Sequence, residues 1–136
     1  MEYNLVHAML GRFGVLIPLL GLFFEIASIV SQKKLVSKIA GGIVILGSIL
    51  AVGAALTGLV EINYLKSMNQ NIQPFRIHMV VGGAVAVVFT ILSLIRIYLY
   101  TKVNERLVVV YMVTYTITVM ANLFSNEVVI HSLRGE

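Results

Sequence analysis

His7 and Arg12 stand in "VHAMLGRFGVLIPLLGLFFEIAS", and Arg76 and His78 in "PFRIHMVVGG", surrounded in both cases by residues that lipid accepts. An ionisable side chain near the centre of a membrane span costs roughly 2.5–3.5 kcal/mol on insertion scales, so one found there is a functional candidate unless it reaches the interface. Two neutral imidazoles can supply both axial positions of a haem iron. Guanidinium groups pair bidentately with carboxylates such as the haem propionates. Gly11 and Gly14 beside His7, and Gly82 and Ala86 beside His78, leave the backbone bare enough for a flat macrocycle. Haem b is therefore the cofactor expected, with His7 and His78 as metal ligands, Arg12 and Arg76 on the propionates, and Gly11, Gly14 and Gly82 lining the slot. Copper is the other metal to weigh, because Met9, Met68 and Met79 lie near the two histidines and thioethers suit Cu(I). Methionines of this kind more often fill packing gaps.

The elements that must position these residues are membrane helices. Of the 136 residues 59% are hydrophobic and 12% charged, half the charge of an ordinary soluble domain. Four charge-poor stretches, at about 4–30, 39–62, 74–100 and 107–130, exceed the length at which an apolar run reads as a bilayer span. The gaps between them, "SQKKLVSK", "NYLKSMNQNIQ" and "TKVNER", are short and polar. The fold expected is all-α, an integral membrane up-down four-helix bundle forming a single domain over residues 1–136. A soluble bundle would need a charged outer face on each helix, and these helices lack one. The first span has no basic segment before it and no small-residue cleavage pattern after it, so it reads as a retained helix. Cysteine is absent, which excludes disulfides and thiolate metal sites. A pI near 9.6 does not imply nucleic acid, because the basic residues sort by membrane side.

Threading the chain four times puts Lys33, Lys34, Lys38, Arg96, Lys102 and Arg106 at one end with the single acid Glu105. Lys and Arg collect on the cytoplasmic side, so both termini are expected outside a cytoplasmic (inner) membrane. Tyr3, Tyr64 and Phe75 then fall at the outer helix ends and Tyr98, Tyr100 and Tyr111 at the inner ends, as interfacial belts. His7, His78 and His131 all reach the outer end. His131 lacks a small-residue face around it and reads as a solvated helix end, which Glu127 would orient.

Small and polar residues form a stripe on each of the first three helices, alternating steps of three and four. They are His7, Gly11, Gly14, Pro18, Gly21, Glu25 and Ser28; then Gly47, Ala51, Ala54, Gly58 and Glu61; then His78, Gly82, Ala86, Thr90 and Ser93. Such stripes mark close approach of helices in lipid, and for Gly21, Gly47 and Ala51 plain packing is the stronger reading. Glu25 lies about 27 Å of helix rise from His7, too far for direct proton transfer. It is expected to pair with Lys33 or Lys38, and Glu61 with Arg12 or Arg76.

"HAMLGRFGVLI", "AALTGLVE" and "RIHMVVGG" together resemble a bacterial and archaeal membrane family known as domain of unknown function 2231, in the family's order and over about Asn4 to Tyr100. His7, Gly58, Glu61 and His78 match its pattern. Ala8 and Gly14 stand where the family tends to have prolines, and Arg12 where it tends to have a second histidine; the fourth helix matches by topology only. The resemblance implies a four-span inner-membrane domain, some of whose relatives are joined to Rieske or cytochrome c-like domains, and hence electron transfer.

The function expected is thus a b-type haem-binding electron-transfer module or subunit, a carrier more than an enzyme, partnered by the lipid bilayer and by a redox protein or respiratory complex. A non-redox structural subunit of a larger membrane complex is the alternative. A proton- or ion-coupled transporter using Glu25 and Glu61 is a weaker one, since neither an inverted repeat nor a broken helix pair is visible.

Overall fold

The computed structural model describes the backbone of residues 2–69 and 73–133 and, within it, the side chains of residues 8–64, 66–69, 76, 77 and 79–125. Four helices run along the chain: α1 (Glu2–Ser31), α2 (Lys34–Ser67), α3 (Gln73–Thr101) and α4 (Glu105–Leu133). Each holds a stretch long and apolar enough to cross a membrane, at Ala8–Ser31, Lys34–Tyr64, Met79–Thr101 and Glu105–Ser125. The chain is the all-α membrane bundle that its composition demands. α2 begins at Lys34 and ends at Ser67, several residues outside the apolar stretch. Lys34, Lys38 and Lys66 are exposed and, as good helix formers, simply continue it.

Tight connections set the order of neighbours. α1 stops where Gln32 enters the left-handed region at φ 55°, its N–H donating to the Ser28 carbonyl at 2.9 Å. α2 starts two residues later. Asn104 caps α4, its side-chain oxygen accepting from the Leu107 N–H at 3.2 Å. α1 and α3 each pack on α2 and α4, and among the described residues the α1 and α3 backbones nowhere come within 8 Å of each other, Cα to Cα. They are parallel and occupy one diagonal of the bundle.

Little apolar force draws helices together in lipid, so contact depends on small residues and polar bonds. Gly14 lies on α2 so closely that a Cβ there would sit 3.4 Å from the Ala51 Cα. At Gly47 a Cβ would meet the Pro18 ring at 3.0 Å, and at Gly21 it would meet the Tyr115 hydroxyl at 2.7 Å. The other half of the bundle interior is aromatic. Phe89, Tyr111 and Tyr115 are buried, with ring centroids 5.8 Å apart for Phe89 and Tyr115 and 5.7 Å for the two tyrosines. The outside is apolar, with Leu16, Phe23, Ile49, Val87 and Ile117 all exposed where lipid would lie.

Pro18 has no N–H, so the carbonyl of Gly14, four residues earlier, loses its donor within the helix. Asn122 on α4 replaces it, Nδ2 donating to the Gly14 oxygen at 2.9 Å. One helical step along, the Tyr115 hydroxyl donates to the Pro18 carbonyl at 2.6 Å. α4 thereby clamps α1 at its proline. Asn122→Ala strands the Gly14 carbonyl in the interior and is expected to cost about 1–3 kcal/mol in reversible unfolding in micelles. In a Pro18→Ala background, where a backbone N–H returns, the same change is expected to cost less. Equal costs in the two backgrounds would show that Asn122 does not stand in for the missing donor.

Candidate functional site

The polar residues fall at two depths. Near the end that carries the α1–α2 and α3–α4 connections, Glu25 of α1 and Arg96 of α3 meet across the bundle diagonal, Nε to Oε2 at 3.0 Å, with side chains only 5% and 7% exposed respectively. Arg96 Nη2 also donates to the Ser37 carbonyl at 2.6 Å and to Ser37 Oγ at 2.9 Å, in the first turn of α2. The Tyr100 ring lies 4.9 Å from the guanidinium carbon, and its hydroxyl donates to the Lys38 carbonyl at 2.9 Å. From α4 the buried Tyr111 hydroxyl faces the Glu25 carboxylate. All four helices contribute to one polar cluster.

Midway along the bundle a second seam joins α2 to α3. Ser93 Oγ donates to Ser48 Oγ at 2.6 Å, and the Ser48 hydroxyl in turn lies 2.9 Å from the Val44 carbonyl and 3.1 Å from that of Phe89.

Several expectations change. Glu25 pairs with Arg96 and not with Lys33 or Lys38, because it lies on the inward stripe of α1 while Lys33, in the α1–α2 connection, and Lys38, in α2, are both exposed. Arg96 is consequently withdrawn from the basic surface. Tyr111 is a core residue at 2% exposure and no part of an interfacial belt, whereas Tyr64, Tyr98 and Tyr100 are at least partly exposed. Thr90 is exposed, and its hydroxyl turns back to the Ala86 carbonyl of its own helix at 2.9 Å. The sequence contained a signal for Arg96 that the stripe reading overlooked. It is the sole charge between Arg76 and Lys102, and it lies one step of three beyond Ser93.

Positions 7 and 78 fall near the opposite end, on α1 and α3. The side chains of His7, His78 and His131 lie outside the described residues. Arg12 and Arg76 are exposed, and Glu61 is half-buried. Gly11 and Gly82 have open space beside them, with nothing within 4 Å of an added Cβ. Gly14 differs, since Ala51 covers it and Asn122 holds its carbonyl. Gly21, Gly47 and Ala51 serve helix packing. Met9 and Met68 are exposed.

Removing one member of a buried ion pair leaves the other charge uncompensated, commonly at about 3–5 kcal/mol, whereas replacing both by apolar groups is often nearly neutral. Arg96→Met is therefore expected to destabilise the protein strongly in a denaturant titration. Glu25→Leu combined with Arg96→Met is expected to recover most of the loss, and additive losses would contradict the pairing.

Four apolar helices, each long enough to cross a membrane and packed around a core that encloses a buried ion pair, define a multi-pass integral membrane protein. The chain belongs to the family described as "Predicted membrane protein (DUF2231)", which matches residues 4–127 and so includes most of α4 as well as the three motif-bearing helices. No curated protein and no solved structure matches it.

Proposed function

We propose that this protein is a b-type haem-binding electron-transfer module or subunit of the inner membrane, with its site between the outer ends of α1 and α3. The observation that carries the reading is the Glu25–Arg96 contact, because it shows which faces of the two diagonal helices look at each other and at what relative height. His7 lies eighteen residues before Glu25, and His78 eighteen before Arg96. At about 3.6 residues per turn, eighteen residues complete five turns over about 27 Å. On regular helices both histidine positions therefore return to the inward face at a common depth. Gly11 and Gly82 are likewise matched, each fourteen residues before its member of the ion pair, and both have open space beside them.

The residues present suit the group. His7 and His78 would hold the iron, Arg12 and Arg76 would pair with the propionates, and the bare backbone at Gly11 and Gly82 would admit the ring edge. Gly14 contributes to helix packing and not to the slot wall. When bound, haem would supply one-electron redox chemistry, and the chain would orient it. A single haem near one face needs a partner to complete transfer across the membrane, so a redox protein or respiratory complex is the expected associate.

Purified protein should show reduced-minus-oxidised haem bands that vanish in His7→Ala and again in His78→Ala, with elution volume and helicity unchanged. Wild-type protein that stays colourless after haem reconstitution overturns the proposal and favours a structural subunit of a larger complex.

Orientation follows from charge. Lys33, Lys34, Lys38, Lys102 and Arg106 are exposed at one end even without Arg96, which supports a cytoplasmic location for that end and external termini. The chain has no cysteine, so Met68→Cys and Lys34→Cys report cleanly. In intact cells an impermeant maleimide should modify the first and reach the second only after lysis; the reverse pattern refutes this orientation.

A further inference from the structure

Five cations stand exposed at the end that carries the two short connections: Lys33, Lys34 and Lys38 around the start of α2, and Lys102 and Arg106 around the α3–α4 connection. Among the described residues none of the five forms an ion pair. Glu25, the acid buried at the same end, is already taken by Arg96, which leaves Glu105 alone against five positive charges. The fold holds the two connections side by side. Arg96 Nη2, six residues before Lys102, donates to the carbonyl and the hydroxyl of Ser37, and the Tyr100 hydroxyl, two residues before Lys102, donates to the Lys38 carbonyl. Gly41 leaves the space that the Tyr100 hydroxyl enters, since a Cβ there would overlap it. The start of α2 is thus stitched to the end of α3, and cations from distant parts of the sequence form one patch.

Like charges gathered on one surface repel, and the bonds that gather these involve none of the five charged groups themselves. An anion shared across the patch would remove that cost. Depth selects which anion. The apolar spans end at Ser31 and Thr101 and resume at Lys34 and Glu105, so Lys33, Lys34, Lys102 and Arg106 all lie within two residues of a span terminus. That is the level of the lipid headgroups, a layer roughly 5–7 Å thick on each side of the hydrocarbon. Lys38, one turn further into α2, has a stem long enough to carry its charge to the same level. Val30, Leu35 and Val103 are interleaved with these cations, and Val103 and Val30 are the most exposed large apolar residues described. A phospholipid meets both demands in one molecule, its phosphate taking the ammonium groups and its acyl region covering the apolar side chains. Basic groups between membrane helices are a recurring way of holding anionic headgroups. We propose that the two connections together bind the headgroup of one anionic phospholipid, bridged between Lys34 at the first connection and Lys102 at the second. The site is independent of haem and of which side of the membrane this end faces.

Native mass spectrometry of the intact protein, released from nanodiscs of phosphatidylglycerol and phosphatidylcholine in equal parts, reads the site directly. Near the surface one cation contributes about fivefold to binding an anionic lipid. The wild type should therefore retain phosphatidylglycerol over phosphatidylcholine by about 25-fold, the product of two bridging cations. Lys34→Gln and Lys102→Gln should each reduce that ratio about fivefold. Lys66→Gln, which removes one exposed cation from the opposite end of α2, should leave it unchanged. Equal retention of the two lipids by the wild type overturns the site and favours an acidic protein as the partner of this patch. So does a reduction from only one of Lys34→Gln and Lys102→Gln, because the connections would then not share a ligand. An equal reduction from Lys66→Gln overturns it as well, since it would mark a response to net charge alone. All three substitutions fall at exposed positions, and the wild-type ratio requires no variant.

Discussion

The Glu25–Arg96 ion pair is the constraint on which the arrangement rests. Apolar helices in lipid can slide and rotate past one another at little cost, since a leucine is equally content against a neighbour or an acyl chain. A buried carboxylate and guanidinium are not so free. Moving α1 by one turn relative to α3 would part them by about 5.4 Å, leaving two charges uncompensated in a medium that cannot solvate either. The pair therefore fixes both the rotation and the height of two helices whose backbones do not touch. Whatever lies at the far end of those helices inherits that alignment.

The rest of the packing divides into two styles. Between α1 and α2 the backbones approach through Gly14, Gly21, Gly47 and Ala51, with the Pro18 ring resting in the space Gly47 leaves. Around α3 and α4 the space is filled by large rings, Phe89, Tyr111 and Tyr115, and the Tyr115 hydroxyl also makes a bond. The first style fixes distance by leaving side chains out, the second by wedging them in. Tyr115 joins the two, because its hydroxyl passes over Gly21 to reach the Pro18 carbonyl.

Helix number, order and membrane character were legible because they depend on run length and charge scarcity, which are local properties of a sequence. The diagonal relation of α1 and α3 was legible too, since short connections force an up-down path. Partner choice was not. Glu25 had lysines close to it in sequence, and the pairing with Arg96 depends on which faces turn inward, a property of the assembled bundle. Tyr111 lies within two turns of a helix end and so resembled an interfacial residue; its burial reflects the neighbours that α1 and α3 supply. Asn122 carried no signal at all until the proline's stranded carbonyl was seen beside it. Periodicity revealed the stripes but could not separate Gly14, which is covered, from Gly11, which is open.

The clamp at Pro18 bears on how the chain is made. Of the four helices α1 is made first, yet the carbonyl that its proline strands is met by a donor on α4, and its carboxylate by a counter-ion on α3. Until α3 is in place α1 carries two unmet polar demands into the bilayer, and until α4 follows it still carries one. Completion of the fourth helix is therefore also the repair of the first, and topogenesis of this bundle closes as a ring: its earliest segment is the last to become comfortable in lipid.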